Sequence, residues 1–325
     1  MTWAMVFPGQ GSQSIGMLHP YEGLPEVRHT IDMASAVLDQ DIWGLVADGP
    51  EESLMATVNT QPVMLAAGVG VYRAWRGRGG AEPDWLAGHS LGEYTALVVA
   101  ESISFEDALR LVRFRAQVMQ EAVPAGVGAM AALLGLEDDA VLAACQEAAQ
   151  GEVVEAVNFN SPGQVVIAGH RTAVARAIEE AKARGAKRAV MLSLSVPSHC
   201  SLMKPAAERL AHYLEQVALV APRIPVLHNA EVLQATTPME IRSALTRQLH
   251  RPVRWVDTIR AFARNGCTRV AECGPGKVLA PLVRRIDPEM EGFALNSAEA
   301  VQGALSLRQN KNRGRGECSR NRWFW

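Results

Sequence analysis

The feature that most constrains this chain is the sequence G-H-S-L-G at residues 88–92. Apolar residues 85–87 precede it and the apolar stretch 95–100 follows it, which predicts a short strand, a tight turn and a helix. Glycines two residues either side of Ser90 lack a Cβ, so the strand and the helix can approach closely. This context is typical of a nucleophile elbow, which holds a serine oxygen clear of a sheet and beside a free backbone N–H.

The length and composition predict a globular protein in a reducing compartment. A chain of 325 residues can form one large domain, or a large domain with a smaller companion. Its cysteines are dispersed with no C-x-x-C pair, which argues against a disulfide or zinc framework. The first residues carry no basic leader, and no apolar run approaches the roughly 20 residues of a membrane span. We therefore expect a cytoplasmic protein that does not enter membranes.

Charge is distributed unevenly along the chain. Residues 308–325 carry six basic side chains and one acidic one, although the net charge of the whole chain is −2. This segment shows no periodicity and is predicted to be a disordered basic tail without an assigned function. The acidic body gives no reason to expect nucleic-acid binding.

The middle of the chain predicts a small inserted subdomain over residues 126–196. Its patterns follow the order β-α-β-β-α-β, which is the ferredoxin-like arrangement. The predicted segments are a strand at 127–135, a helix at 137–149, a strand at 152–157, a turn at 158–163, a strand at 164–169, a helix at 172–184 and a strand at 187–192.

The flanking residues, 1–125 and 197–307, predict one large α/β subdomain. Strands and helices alternate in it, which favours a mostly parallel sheet covered on both faces. The fold class is therefore α/β, with an α/β-hydrolase-like large subdomain and an inserted ferredoxin-like small one. The main predicted segments are strands at 4–7 and 269–272 and helices at 25–38, 61–75, 238–249 and 252–264, with Ser104 capping a further helix.

A serine hydroxyl needs a base to become a nucleophile, and eight histidines are candidates. His199 is favoured because it lies downstream of Ser90 at a loop-to-helix junction, where α/β sheets tend to present site residues. His89 adjoins the serine and is expected to support the elbow instead. The acids nearest before His199 are Glu179 and Glu180, which belong to the inserted unit and offer no triad partner. A backbone carbonyl could orient the base in their place, which counts against a plain esterase.

Several motifs, spread from residue 3 to about residue 307, together resemble one family. They are F-P-G-Q-G-S-Q at 7–13, T-Q-P at 60–62, G-H-S-L-G-E-Y at 88–94, Arg115 before M-Q-E-A-V-P at 119–124, N-F-N-S-P-G-Q at 158–164, V-P-S-H-C at 196–200, Gln248 before P-V-R-W at 252–255, and G-P-G-K at 274–277. The family is the malonyl-CoA:acyl carrier protein transacylases of bacterial fatty acid synthesis.

The resemblance implies roles for the catalytic positions. Ser90 would be the acylated nucleophile and His199 its general base and acid. The backbone N–H groups of Gln10 and Leu91 would form the oxyanion hole. The backbone carbonyl of Gln248 would orient His199, which supplies the missing triad partner.

The resemblance also implies a substrate site. Arg115 would hold the malonyl carboxylate with two charge-assisted hydrogen bonds, although without the resemblance it reads as a solvated helix charge. Gln61 and Asn160 would be polar groups of the pocket. For docking of the acidic carrier, the candidates are Arg284 and Arg285.

The implied substrates are malonyl-CoA and the phosphopantetheine thiol of acyl carrier protein, with no metal or redox cofactor. We expect a monomer. Two other functions stay open: a discrete acyltransferase of a polyketide synthase, and a serine thioesterase or hydrolase. A catalytically inactive interaction module is disfavoured because the nucleophile, the base and the carboxylate clamp are all present.

Overall fold

The computed structural model describes residues 2–193 and 196–305. The predicted basic tail, 308–325, lies outside these residues. In chain order, the described strands are β1 (Thr2–Phe7), β2 (Trp85–Gly88), β3 (Gly128–Leu134), β4 (Val154–Ser161), β5 (Gln164–His170), β6 (Arg188–Met191), β7 (Val226–Leu227), β8 (Cys267–Cys273) and β9 (Glu291–Leu295). The α-helices are α1 (Pro25–Leu38), α2 (Ile42–Ala47), α3 (Glu51–Met55), α4 (Thr57–Gly77), α5 (Gly92–Val99), α6 (Phe105–Ala122), α7 (Asp138–Ala149), α8 (Arg171–Ala183), α9 (Lys204–Glu215), α10 (Pro238–Gln248), α11 (Trp255–Arg264) and α12 (Ala280–Ile286).

The large unit is built on a five-stranded sheet in the order β7-β2-β1-β8-β9, with every neighbouring pair parallel. Helices cover both faces, and the central strand β1 is buried along nearly its whole length. The predicted parallel α/β sheet is therefore confirmed. Because the strands are parallel, Phe7, Gly88 and Cys273 end at the same edge, and the loops that follow them meet there.

The small unit is a four-stranded antiparallel sheet in the order β4-β5-β3-β6. Helices α7 and α8 pack on one face of it. The other face presents apolar side chains, including Met130 and Val157, which pack against Cys200 of the large unit. The predicted ferredoxin-like order is confirmed, whereas the limits at residues 126 and 196 stay a prediction.

The predicted turn at 158–163 is wrong, because β4 continues to Ser161 and only the next two residues turn. Asparagine is a poor strand former, but this stretch is paired on both sides. On one side lies β5, with two register shifts. On the other side, the Phe159 N–H donates to the Val253 carbonyl at 3.0 Å, and the Val253 N–H donates to the Val157 carbonyl at 2.8 Å. These bonds join the small sheet to the segment that follows α10.

One predicted helix begins later than expected. Helix α11 begins at Trp255 rather than at residue 252, since Pro252 has no N–H and Val253 is paired with β4. The helix after Cys200 opens with a 3-10 turn at Ser201–Met203 before α9. None of the helices in the described ranges is long and apolar enough to cross a membrane.

The elbow requires its two glycines because backbone passes against backbone there. A Cβ on Gly88 would lie 1.8 Å from the Gly92 carbonyl carbon. A Cβ on Gly92 would lie 2.1 Å from the Phe7 carbonyl oxygen at the end of β1. The helix α5 can therefore start directly on the sheet edge only if both positions lack a side chain.

We predict that Gly92→Ala destabilises the fold by about 3 kcal/mol, the upper end of ordinary overpacking, because backbone must move to admit the methyl group. Thermal unfolding followed by circular dichroism measures the effect. Gly303→Ala is the matched control, since Gly303 is helical and, apart from its own helix backbone, no other part of the described chain lies within 4 Å of its Cβ position. Equal melting temperatures for Gly92→Ala and the control would contradict the prediction.

Candidate active site

Ser90 lies between the end of β2 and the start of α5, with a left-handed backbone at φ 52°. The neighbouring His89 N–H donates to the Phe7 carbonyl at 2.9 Å and ties the turn to β1. The positive end of the α5 dipole points toward the serine. The strand, turn and helix predicted from the sequence are therefore present, and they hold the serine at the carboxyl edge of the parallel sheet.

His199 faces Ser90 although 109 residues separate them. The Ser90 hydroxyl donates to His199 Nε2 across 2.7 Å, and His199 Nδ1–H donates to the Gln248 backbone carbonyl at 2.7 Å. A carbonyl can only accept, so the proton lies on Nδ1 and Nε2 is left as the acceptor. His199 also has a left-handed backbone, at φ 66°, and its N–H donates to the Leu249 carbonyl at 2.9 Å. The imidazole is thus oriented to take the serine proton.

Burial lowers the pKa of His199 to about 3, and the positive charge of Arg115 acts in the same direction. The hydrogen bond to the Gln248 carbonyl opposes them. Because an imidazole can accept a proton only when it is neutral, this low pKa keeps His199 competent as a base at neutral pH.

Arg115, on α6, is 1% exposed and lies beside the serine. Its Nη1 donates to Gln61 Oε1 at 2.8 Å, and its Nη2 donates to Gln248 Oε1 at 3.0 Å and to Ser90 Oγ at 3.3 Å. The guanidinium carbon lies 5.3 Å from the centre of the Tyr94 ring. Burial lowers the pKa of Arg115.

Among the described residues, no carboxylate forms an ion pair with Arg115, and its buried Nε has no hydrogen-bond partner. The cation is therefore held by neutral oxygens. Such a site favours an incoming anion, because a carboxylate offers two charged oxygens to the same planar fork.

The backbone N–H groups of Gln10 and Leu91 both belong to residues that line the cavity at Ser90. Neither N–H donates to another group of the described chain, so both are available to an oxygen that binds there. The Gln10 side chain is fixed separately, since its Nε2 donates to Thr57 Oγ1 at 3.2 Å. This arrangement suits a developing oxyanion.

The cavity is lined by Gln10, Thr57, Gln61, His89, Ser90, Leu91, Arg115, Met119, Met130, Asn158, Val196, Ser198 and His199. Asn160 is not among them, and its Oδ1 accepts the His89 Nε2–H at 2.8 Å. Asn158 faces the cavity instead, with its buried Oδ1 unpartnered. Sequence reasoning missed Asn158 because it assigned this stretch to a turn, where alternation of side chains between two faces does not apply.

The two arginines predicted to dock a carrier lie on α12, away from the cavity lining. Both Arg284 and Arg285 are exposed. Arg285 Nη1 donates to Gln164 Oε1, at the start of β5, at 3.2 Å. Arg285 therefore presents positive charge where the large and small units meet. Within residues 2–193 and 196–305, no group of His, Cys, Asp and Glu side chains could hold a metal ion.

A hydrogen-bonded serine–histidine pair, a base oriented by a carbonyl and a buried arginine beside the nucleophile define a serine-dependent acyltransferase. Comparison with protein families supports this class, since the acyl transferase domain model matches residues 4–292. The chain belongs to this acyl transferase family, and its resemblance to malonyl-CoA:acyl carrier protein transacylases is confirmed.

Three relatives carry that resemblance. The malonyl CoA-acyl carrier protein transacylase of Escherichia coli K12 is 52% identical, over 94% of this chain and 99% of the relative. A crystal structure of acyl-carrier-protein S-malonyltransferase from Burkholderia pseudomallei 1710b has a TM-score of 0.92 at 55% identity, over 94% of this chain and all of that one. The malonyl-transacylase PlMCAT, solved in complex with the type II PKS acyl-carrier protein AntF, has a TM-score of 0.93 at 49% identity with the same coverage.

We predict that a fluorophosphonate labels Ser90 at a constant rate from pH 8 down to pH 5. The base must be neutral, and its lowered pKa keeps it neutral well below the ordinary histidine value of about 6.5. Arg115→Gln removes a positive charge and so raises the pKa of His199. The loss of labelling at low pH should therefore begin at a higher pH in this variant. Labelling rates at each pH, with circular dichroism to check folding, test this. A wild-type midpoint near 6.5 would contradict it.

Proposed function

We propose that this chain transfers a malonyl group from malonyl-CoA to the phosphopantetheine thiol of acyl carrier protein in fatty acid biosynthesis. The group passes through an ester on Ser90, in a ping-pong reaction. The observation that carries the proposal is the buried Arg115 guanidinium, 3.3 Å from the Ser90 hydroxyl, whose hydrogen-bond partners among the described residues are all neutral.

The position of Arg115 selects for a short acyl group that ends in a carboxylate. In a malonyl thioester a single methylene separates the reacting carbonyl from the carboxylate. An arginine that reaches the serine oxygen can therefore hold the carboxylate while Ser90 attacks the carbonyl. An acetyl group would leave the buried cation without a charged partner, which disfavours it. Gln61 and Gln248, which hold the guanidinium in the free enzyme, then orient it toward the substrate.

In the first half-reaction, Ser90 attacks the thioester carbonyl of malonyl-CoA while His199 Nε2 takes the hydroxyl proton. The oxyanion accepts hydrogen bonds from the N–H groups of Gln10 and Leu91. When the intermediate collapses, the carbon–sulfur bond breaks and His199 returns the proton to the departing sulfur. Malonyl-Ser90 remains.

In the second half-reaction, the carrier thiol enters and His199 takes its proton. The sulfur attacks the ester, the same N–H groups stabilise the oxyanion, and the proton passes to the Ser90 oxygen as it leaves. Each step uses only this chain and its two substrates, so we propose no metal or redox cofactor. Gln248 keeps the imidazole in the required tautomer throughout, through its carbonyl.

Substrate binding also changes the pKa of His199. In the free enzyme the charge of Arg115 lowers the pKa of His199. A bound malonyl carboxylate neutralises much of that charge, so it raises the proton affinity of His199. His199 therefore becomes a stronger base when the correct substrate is present, and acetyl thioesters gain no such effect.

Two other functions differ in what the malonyl ester does next. A serine hydrolase would release free malonate without a carrier, and the carbonyl-oriented base and Arg115 argue against it. A polyketide acyltransferase would prefer a polyketide carrier, and PlMCAT with AntF is a related example. Rates with carriers of the two pathways distinguish these cases.

We infer a cytoplasmic location from the cysteines. The four within the described residues are all buried and unpaired: Cys145, Cys200, Cys267 and Cys273. Such usage suits a reducing compartment. A monomeric state stays a prediction.

We predict that wild-type protein mixed with malonyl-CoA gains one malonyl group on Ser90 and that Arg115→Ala slows this gain by about 10²-fold or more, since two hydrogen bonds to a charged group are lost. Acetyl loading should change far less. Intact-protein mass spectrometry over time measures both, with Ser90→Ala as the blank. Equal losses for malonyl and acetyl loading would show that Arg115 does not hold the carboxylate.

We propose that Arg284 and Arg285 dock the acidic carrier. Reversing both charges, Arg284→Glu with Arg285→Glu, should raise the carrier KM several-fold and leave malonyl-Ser90 formation unchanged. The matched control is Lys182→Glu with Arg184→Glu, at the end of α8 on the outer face of the small sheet. Steady-state transfer at varied carrier concentration measures this, and equal damage to both half-reactions would refute the assignment.

A further inference from the structure

The side chain of Asn229 is hydrogen-bonded to the backbone of the nucleophile elbow, outside the cavity. The Ser90 N–H donates to Asn229 Oδ1 at 2.8 Å, and Asn229 Nδ2 donates to the Gly88 carbonyl at 2.7 Å. One amide group therefore bridges the backbone on both sides of His89. Asn229 is 1% exposed and does not line the cavity at Ser90.

Glu93 in turn holds Asn229. Its Oε2 accepts the Asn229 N–H at 2.8 Å, and its Oε1 accepts from His228 Nδ1 at 2.8 Å. The Arg254 N–H donates to the Asn229 carbonyl at 3.1 Å. Glu93 lies in the first turn of α5 and is fully buried, where the helix dipole favours a negative charge. Two hydrogen bonds thus hold the backbone of Asn229, and His228 holds the carboxylate that makes one of them.

The hydrogen bonds from the Asn229 side chain are made to a strained stretch of backbone. A left-handed conformation at a residue other than glycine persists only where its surroundings fix it, and Ser90 has φ 52°. Because the Ser90 N–H is bound to Asn229, the chain presents the next N–H, of Leu91, to the cavity. Loss of the amide would leave a donor and a carbonyl of the elbow unpaired and let the turn relax.

We propose that Asn229, held by Glu93, is a positioning residue for the nucleophile. It keeps the Ser90 hydroxyl against His199 and the Leu91 N–H directed at the oxyanion. The inference rests on the proposed function in one respect, that Ser90 is the acylated residue. It touches neither substrate, so it acts through the geometry of Ser90 alone.

The first test is Asn229→Ala. Misplacement of a nucleophile by about 1 Å can cost about 10²-fold in rate, so we expect that loss in fluorophosphonate labelling of Ser90 and in malonyl and acetyl loading alike. The KM for malonyl-CoA should stay within about 3-fold, because the side chain of Asn229 bonds the elbow backbone and not Arg115 or the two glutamines that hold it. Asn265→Ala is the matched control, since it removes a hydrogen bond from a side-chain amide to the Ala261 carbonyl at the end of α11. It should react at the wild-type rate.

The second test is Asn229→Asp, which keeps the shape of the side chain. A protonated carboxyl can donate to the Gly88 carbonyl and accept from the Ser90 N–H, as the amide does, whereas a carboxylate repels that carbonyl. Burial and the adjacent Glu93 raise the pKa of this new acid, while nearby His228, His89 and His199 are the other titratable groups. The rate at which Ser90 is labelled in Asn229→Asp should therefore fall as pH rises. Protonation of His199 has the opposite effect, since it lowers the labelling rate as pH falls.

Wild-type labelling rates in Asn229→Ala, or a wild-type pH profile in Asn229→Asp, would overturn the proposal. If Asn229→Ala fails to fold by circular dichroism, the Asn229→Asp profile decides. Fluorophosphonate labelling needs no malonyl substrate. A failure of the proposed function would appear instead as wild-type protein that is labelled at Ser90 and yet forms no malonyl adduct.

Discussion

The 2.7 Å hydrogen bond between Ser90 and His199 is the contact on which the rest of the structure depends. Its two residues have left-handed backbones, which a chain adopts only under constraint. The serine is constrained by the glycines of its turn and the histidine by the Leu249 carbonyl. The inserted small unit lies between them in sequence and packs against Cys200, next to the histidine. The fold thus brings two strained residues, which lie on either side of the inserted unit in the sequence, within hydrogen-bonding distance of each other.

Gln248 couples the parts of the site to one another. Its backbone carbonyl fixes the tautomer of His199, its Oε1 holds Arg115, and its Nε2 donates to the Ser90 carbonyl at 2.9 Å. The residue is 1% exposed, so these bonds form in a low dielectric, where each is stronger than in water. A single residue therefore aligns the nucleophile, the base and the cation.

The electrostatics of the site suit a substrate that brings its own charge. Burying an arginine without a carboxylate partner is costly, and the neutral oxygens of Gln61 and Gln248 compensate only in part. Burial first, and the same charge after it, lower the pKa of His199 and keep the imidazole neutral and able to accept a proton. A substrate carboxylate gives the buried Arg115 a charged partner, and it also raises the proton affinity of His199. Substrate recognition and reactivity are therefore linked through Arg115.

The sequence by itself determined the elements and their order. The elbow, the parallel sheet and the ferredoxin-like insertion follow from glycine spacing and hydrophobic periodicity, which are local properties of the chain. His199 was favoured from its place at a junction, whereas Arg115 was assigned only through the resemblance, since its helix position alone suggests a solvated charge. Only the tertiary structure decided that β4 continues through Asn158 and that Asn160 is hydrogen-bonded to His89. It also decided that Asn229, held by Glu93, is hydrogen-bonded to the backbone of the elbow. These features depend on pairing between residues far apart in the chain, and no periodic pattern records which distant groups will meet.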